Sequence, residues 1–158
     1  YKRQGYYRTV LGCPEARAVA LESPFPAENL GLYCLPSIST RYRQRDASIR
    51  PISDALAALA SSRVGNYLAF FPSYAYLRQV WEDFTARYPD IGTLVQESGL
   101  DDAGRVIRTQ EDKGVVLLLD DRFAQSEYAR LFPKHWRHLE YLRDTEELKK
   151  KLEDFWAE

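Results

Sequence analysis

Two arginines with a helical spacing are the first candidates for chemistry. Arg105 and Arg108 follow Gly104 in the stretch DAGRVIRTQEDKG and are three residues apart. On a helix, side chains at positions i and i+3 are neighbours, so both guanidinium groups would share one face. Such a pair suits a phosphate group whose negative charge grows in the transition state of phosphoryl transfer. The competing interpretation is a solvent-exposed helix face that carries two arginines.

A second candidate is acidic. Asp120 and Asp121 end the apolar stretch VVLLLDD, which has the form of a magnesium-binding strand end in a nucleotide hydrolase. That chemistry needs a phosphate-binding loop beside it, and the sequence contains no G-x-x-x-x-G-K-[ST] pattern. The sequence therefore favours acids that cap the turn after the strand without binding metal.

A third candidate is basic and aromatic. Arg41, Arg43 and Arg45 alternate with other residues in ISTRYRQR, and Tyr42 lies among them. Guanidinium groups beside an aromatic ring suit a single-stranded nucleic acid, because they offer charge for phosphates and a surface for base stacking. A solvated basic loop explains the same pattern equally well.

Histidine and cysteine do not predict a metal site. His135 and His138 are three residues apart, but no further ligands lie near them in the sequence, which favours an exposed pair. Cys13 and Cys34 lack the C-x-x-C spacing of a zinc site, and we expect them to be buried thiols.

Composition limits the class of protein. A chain of 158 residues fits one domain, and a hydrophobic content of 45% is sufficient for a core. A net charge of −1 means that any nucleic-acid binding must use a local patch. No apolar run is long enough to span a membrane and no secretion signal opens the chain, so we expect a cytoplasmic protein.

Hydrophobic periodicity predicts alternating strands and helices. Strands are predicted at NLGLYCL (29–35), GNYLAFFPS (65–73, buried on both faces), IGTLVQ (91–96) and GVVLLLDD (114–121). Helices are predicted at 1–12 (the end of a helix, closed by Gly12), 46–62, 74–88, the arginine segment, 125–132 and about 144–157. The last helix opens with Asp144 as N-cap and Glu147 three residues later, a capping-box arrangement. This alternation predicts a single α/β domain with a parallel sheet.

Several segments, taken in order, resemble one family. They are ESPFPAENLGLY, ISTRYRQR, GNYLAFFPSYAYL (similar to helicase motif IV), AGRVIRTQEDKGVVLLLDDRF (similar to motif VI) and YARLFPKHW. Together they cover about residues 6–136. The chain thus resembles the C-terminal helicase domain of the XPD/DinG-like family of superfamily 2 DNA helicases.

The resemblance implies a RecA-like sheet flanked by helices, and it implies that ATP binding and hydrolysis need two domains with different functions. In this family ATP binds between two RecA-like domains, and the first supplies the P-loop and the magnesium-binding acids. The second domain supplies arginines, which implies that Arg105 and Arg108 contact the nucleotide phosphates. ATP and Mg would be bound mainly by the N-terminal P-loop motor domain of the same protein, so the isolated chain would hydrolyse no ATP.

The resemblance also implies a DNA path and a role in DNA repair. The partner would be single-stranded DNA, and the residues along its path would be Ser73 and Tyr74 of motif IV together with Arg41, Tyr42 and Arg45. Ser73 also fits the N-cap of the helix that follows, and the two roles are compatible.

Two departures from the family pattern leave a rival interpretation open. Asp101 stands where the family has Gln, and only PDIGTLVQESGLDDAGR stands where the family has a long segment with motif V. These features indicate a junction near 99–104, left by a designed excision, a natural deletion or residues missing from the sequence. The rival is a non-enzymatic remnant of a helicase domain, which acts as a structural or interaction module.

Overall fold

The computed structural model describes residues 10, 12, 26–95, 113–133 and 135–157. In this part of the chain, three strands form a parallel sheet in the order β2-β1-β3. They are β1 (Leu30–Cys34), β2 (Gly114–Leu118) and β3 (Glu140–Tyr141). Leu30 lies opposite Gly114 at the start of β1, and Tyr33 lies opposite Glu140 near its end. The predicted α/β class is confirmed, and the parallel sheet flanked by helices is consistent with a RecA-like fold.

Four helices accompany the sheet in the described residues. They are α1 (Arg45–Ser62), α2 (Tyr74–Arg87), α3 (Ser126–Ala129) and α4 (Thr145–Ala157), and short 3₁₀ turns occupy Ala27–Asn29, Tyr42–Gln44 and Asp121–Ala124. The predictions of β1, β2, α1, α2 and α4 are confirmed to within a few residues at their ends. The helix predicted at 125–132 is shorter, because α3 ends at Ala129. None of these helices combines the length and the apolar character needed to cross a membrane.

The core lies between the sheet and the helices α1, α2 and α4. Ile52 and Ala55 lie on the buried face of α1, and the small side chain of Ala55 lets the neighbouring helices approach. Val80 of α2 and Leu148 of α4 pack into the same cluster. Pro51 cannot donate an i→i−4 hydrogen bond, yet the helix continues through it because its buried face is held by tertiary packing.

The predicted cap of α4 is confirmed, with one difference. The Glu147 N–H donates to the Asp144 carboxylate at 2.9 Å, as an N-cap requires. The Glu147 carboxylate accepts the N–H of Arg143 at 2.8 Å, one residue earlier than in a standard capping box.

Two predicted strands are wrong in the described residues. Residues 66–71 and 92–95 have irregular backbone and pair with none of the three strands. Their apolar side chains are largely exposed, and Phe70 retains 85% of its accessible surface. Apolar composition indicates a tendency to be buried, but a strand also needs a neighbour with free hydrogen-bonding groups. In the described residues, neither segment pairs with the outer edge of β2 or of β3, which are the two edges of this sheet.

Some predictions fall outside the described residues. Gly12 has φ +67°, the conformation typical of a glycine that ends a helix, and Val10 is helical. The rest of the predicted segment 1–12, the arginine segment and the junction near 99–104 are not part of the described structure.

Candidate nucleic-acid interface at the carboxyl ends of the strands

Two loops meet where β1 and β2 end. The first is 39–41, which follows β1, and the second is 120–122, which follows β2. Because parallel strands have their carboxyl ends at the same edge of a sheet, residues 80 positions apart in sequence become neighbours. Ligands of open α/β sheets commonly bind at this edge, so the side chains found here are candidates for function.

Asp120 is the buried centre of this contact, with 2% of its surface exposed. Its carboxylate accepts the backbone N–H of Thr40 at 3.1 Å and that of Arg122 at 2.8 Å. It also accepts the Thr40 hydroxyl and the Nε and Nη2 groups of Arg122, the last two at 2.7 and 3.0 Å. Both carboxylate oxygens are therefore engaged, and Asp120 caps the turn after β2 as the sequence predicts.

These partners determine the charge state of Asp120. Burial alone raises the pKa of its carboxyl group, but the hydrogen bonds from Arg122 and Thr40 outweigh burial and hold that pKa well below its usual value. The same carboxylate raises the pKa of Arg122. Asp120 thus stays ionised and fully paired. No group of His, Cys, Asp and Glu side chains suited to a metal ion occurs in the described residues.

Asp121 makes the second contact between the loops. Its carboxylate accepts the Ser39 hydroxyl at 3.0 Å and the Nε of Arg41 at 3.3 Å. The Nη2 of Arg41 lies 2.9 Å from the other oxygen, so the guanidinium approaches the carboxylate through two nitrogens. The Arg41 and Asp121 side chains remain 49% and 32% exposed, which leaves this pair in contact with water.

Arg45 links the first loop to the start of α2. Its Nε donates to the Thr40 carbonyl at 3.3 Å, and its Nη1 donates to the Ser73 hydroxyl at 3.4 Å. The guanidinium carbon lies 5.5 Å from the centre of the Tyr42 ring and 5.1 Å from that of Tyr76, within the range of cation–π attraction. Two segments that are distant in sequence, 40–45 and 73–76, therefore meet around one arginine.

The start of α2 is fixed by two hydroxyl groups. Ser73 is its N-cap, and the Ser73 hydroxyl accepts the Tyr76 N–H at 3.3 Å. The Tyr76 hydroxyl forms a buried hydrogen bond of 2.6 Å with Ser48 of α1. The ring of Tyr74, the first residue of the helix, is 62% exposed.

The structure brings the five predicted DNA-path residues into one region. Arg45 contacts Tyr42 and Ser73, Tyr74 follows Ser73, and Arg41 belongs to the loop that Arg45 binds. Tyr42 is 84% exposed, so the face of its ring that is turned away from Arg45 is open to solvent and could stack on a base. We call this set the Arg45 cluster: Arg41, Tyr42, Arg45, Ser73 and Tyr74. Arg105 and Arg108 lie outside the described residues, so their roles stay predictions.

The sequence interpretation missed three residues that hold the Arg45 cluster in place. Thr40, Tyr76 and Arg122 bind or stack against its members or against Asp120. Thr40 stands directly beside Arg41, which is the only local signal for its involvement. Tyr76 carries no signal in the sequence, because its partner Arg45 lies on another element. Arg122 stands only two residues after its partner Asp120, but two residues of opposite charge in a loop do not by themselves indicate a contact.

The remaining histidine and cysteine predictions have mixed outcomes. His135 is exposed, as expected, whereas Nε2 of His138 forms a 2.8 Å hydrogen bond with the Leu30 carbonyl. Cys34 is buried as predicted, and burial, aided by the charge of Asp120, raises the pKa of its thiol to about 11. Cys13 lies outside the described residues.

Comparison with known proteins adds one finding. A family model described as a helicase C-terminal domain matches residues 101–139. This stretch is similar to helicase C-terminal domains. It contains β2, the loop 120–122 and both Arg105 and Arg108, and the match supports a helicase-related motor domain. No curated protein and no solved structure matches the chain.

Proposed function

We propose that this chain is the second motor domain of an ATP-dependent DNA helicase of the XPD/DinG-like kind. The observation that carries the proposal is the match of residues 101–139 to a helicase C-terminal domain. The matched stretch contains the two arginines with helical spacing, and it contains the loop 120–122 that contacts the Arg45 cluster. The parallel sheet flanked by helices is compatible with this assignment.

In this proposal the Arg45 cluster faces single-stranded DNA. The exposed rings of Tyr42 and Tyr74 would stack on bases, and the guanidinium groups of Arg41 and Arg45 would contact phosphates. Ser73 orients the first turn of α2 and would offer its hydroxyl to the backbone of the strand. Because the net charge of the chain is only −1, binding would depend on this local patch and would weaken steeply with salt.

Arg105 and Arg108 would act on ATP that the first motor domain holds. Guanidinium groups stabilise the charge that develops on a transferred phosphoryl group. This role does not require the second domain to bind a metal ion. Asp120 does not fit a magnesium ligand, because both its oxygens are occupied by Thr40 and Arg122. We therefore assign ATP and Mg binding mainly to the first domain, and we expect no turnover by this chain alone.

One observation favours the alternative of a non-enzymatic interaction module. Residues 66–71 and 92–95 carry exposed apolar side chains where the sequence predicts strands. Exposed apolar patches are common at protein–protein interfaces. In this alternative the domain would bind another protein, and the Arg45 cluster would make no contribution to DNA binding.

DNA binding by matched arginine variants separates these two functions. Fluorescence anisotropy with a labelled single-stranded oligonucleotide would be measured for the unaltered chain, for Arg45→Ala and for Arg137→Ala. Arg137 is exposed, and its neighbour His138 contacts the Leu30 carbonyl at the start of β1, away from the carboxyl ends of the strands, so Arg137 controls for the loss of one positive charge. The motor-domain proposal expects Arg45→Ala to weaken binding severalfold more than Arg137→Ala. Equal affinities of the two variants would favour the interaction module.

A further inference from the structure

The contact between Asp121 and Arg41 has the geometry of an arginine bound to an anion. The two carboxylate oxygens lie 3.3 Å from Nε and 2.9 Å from Nη2 of the guanidinium. A phosphate group binds an arginine in the same two-point manner, through two parallel N–H groups. Asp121 therefore occupies the donors of Arg41 that a DNA phosphate would need.

The two neighbouring acids differ in how firmly they are held. Asp120 is almost completely buried and accepts hydrogen bonds from both Thr40 and Arg122, so it belongs to the framework of the loop contact. In the pair of Asp121 and Arg41, both side chains are partly exposed to water. Exposed ion pairs contribute little to stability, so an incoming anion can replace the carboxylate without disturbing the fold.

We propose that Asp121 determines the affinity of the DNA site by competing with a backbone phosphate for Arg41. This inference rests on the proposed function, and it adds a residue that opposes binding. When a phosphate takes Arg41, the Asp121 carboxylate is released and attracts a cation from solution. This uptake offsets one of the cations that the DNA releases on binding. The chain therefore binds DNA more weakly, and with a weaker dependence on salt, than it would without Asp121.

The test is the substitution Asp121→Asn, which removes the charge and keeps an oxygen that can accept the Ser39 hydroxyl. Binding to a labelled oligothymidine would be measured by anisotropy over a range of salt concentrations. We expect the variant to bind about threefold to fivefold more tightly at low salt, in line with the weakness of an exposed pair. The plot of log affinity against log salt should steepen by about 0.7, the value for one further phosphate contact on a single strand. Asp121→Ser, which also removes the charge, should behave in the same way.

Two further variants separate competition from a general change in charge. Asp46→Asn removes an exposed acid in the first turn of α1, next to Arg45, and should give a smaller gain. In the double variant Arg41→Ala/Asp121→Asn, the gain over Arg41→Ala should disappear, because the group that Asp121 competes for is absent. Circular dichroism would verify that each variant is folded before its affinity is compared.

The outcomes distinguish this inference from the proposed function. If the unaltered chain binds DNA and Asp121→Asn binds with the same affinity and salt dependence, the inference is wrong and the proposed function stands. An equal gain from Asp46→Asn, or a gain that persists without Arg41, also overturns the inference. If neither the unaltered chain nor Asp121→Asn binds single-stranded DNA at low salt, the proposed function itself fails.

Discussion

Thr40 and Asp120 join the carboxyl ends of two neighbouring parallel strands through a single carboxylate oxygen. The Thr40 N–H lies 3.1 Å from Oδ2 of Asp120, and the Thr40 hydroxyl donates to the same atom. Thr40 follows β1 and Asp120 follows β2, so this contact fixes the loop that carries Arg41. The position of the candidate DNA interface thus depends on a buried charge in the framework of the sheet.

Replacing Asp120 should destabilise the chain strongly. Asp120→Ala removes the buried carboxylate to which the Thr40 N–H and the partly exposed Arg122 guanidinium donate, and a buried donor left without its acceptor costs about 1 to 3 kcal/mol. Urea denaturation followed by circular dichroism would measure the free energy of unfolding. The matched control is Asp121→Ala, whose exposed pair with Arg41 should cost less than about 1 kcal/mol. Equal losses for the two variants would contradict the framework role of Asp120.

The ionisation of Asp120 should make stability depend on pH in the acid range. Its pKa in the folded chain is lower than in the unfolded chain, so the unfolded state binds more protons as the solution is acidified. The contribution of Asp120 is therefore complete above the unfolded pKa of about 3.9 and is lost as the pH falls toward the depressed folded pKa.

Melting temperatures of the unaltered chain and of Asp120→Asn would be compared between about pH 6 and pH 3. Other carboxylates, such as Asp54 and Glu147, also have lowered pKa values and contribute to both curves. The variant should lose less stability on acidification than the unaltered chain. Parallel curves would show that Asp120 makes no pH-dependent contribution.

Ser73 should have separable roles in folding and in DNA binding. Ser73→Ala removes the cap of α2 and should cost about 1 kcal/mol of stability, whereas Ser73→Gly should cost only a few tenths. Both variants remove the hydroxyl that Arg45 contacts, so both should weaken binding to single-stranded DNA by similar factors. Thermal melts combined with anisotropy would measure the two effects. If DNA affinity follows stability across the two variants, Ser73 acts only as a helix cap.

Local patterns predicted much of the framework. The helical spacing of Ile52, Leu56 and Leu59 located α1, and Asp144 with Glu147 located the start of α4. The continuous apolar run before Asp120 located β2. These signals lie within one element, so they require no knowledge of how the chain folds back on itself.

The rest depended on contacts between distant segments. The type and position of Asp120 indicated a cap, but its bond to Thr40, 80 residues away, exists only once β1 and β2 pair in parallel. The stretch around Phe70 was predicted as a strand because it is apolar, and it remains irregular because no partner strand in the described sheet receives it. The contact of Ser73 with Arg45 likewise required the packing of α2 beside α1.

The central claim is that this chain supplies catalytic arginines to ATP held by another motor domain. Its most direct test is the rate of ATP hydrolysis, stimulated by single-stranded DNA, of the complete protein that contains this chain, with and without Arg108→Ala. We predict a loss on the order of 10³-fold with nearly unchanged nucleotide affinity and melting temperature, because such an arginine acts on charge that develops in the transition state. Arg108→Lys should restore little, since one ammonium group cannot replace the two-point contact of a guanidinium. Hydrolysis by Arg108→Ala at the parental rate, or a complete protein that hydrolyses no ATP, would contradict the claim.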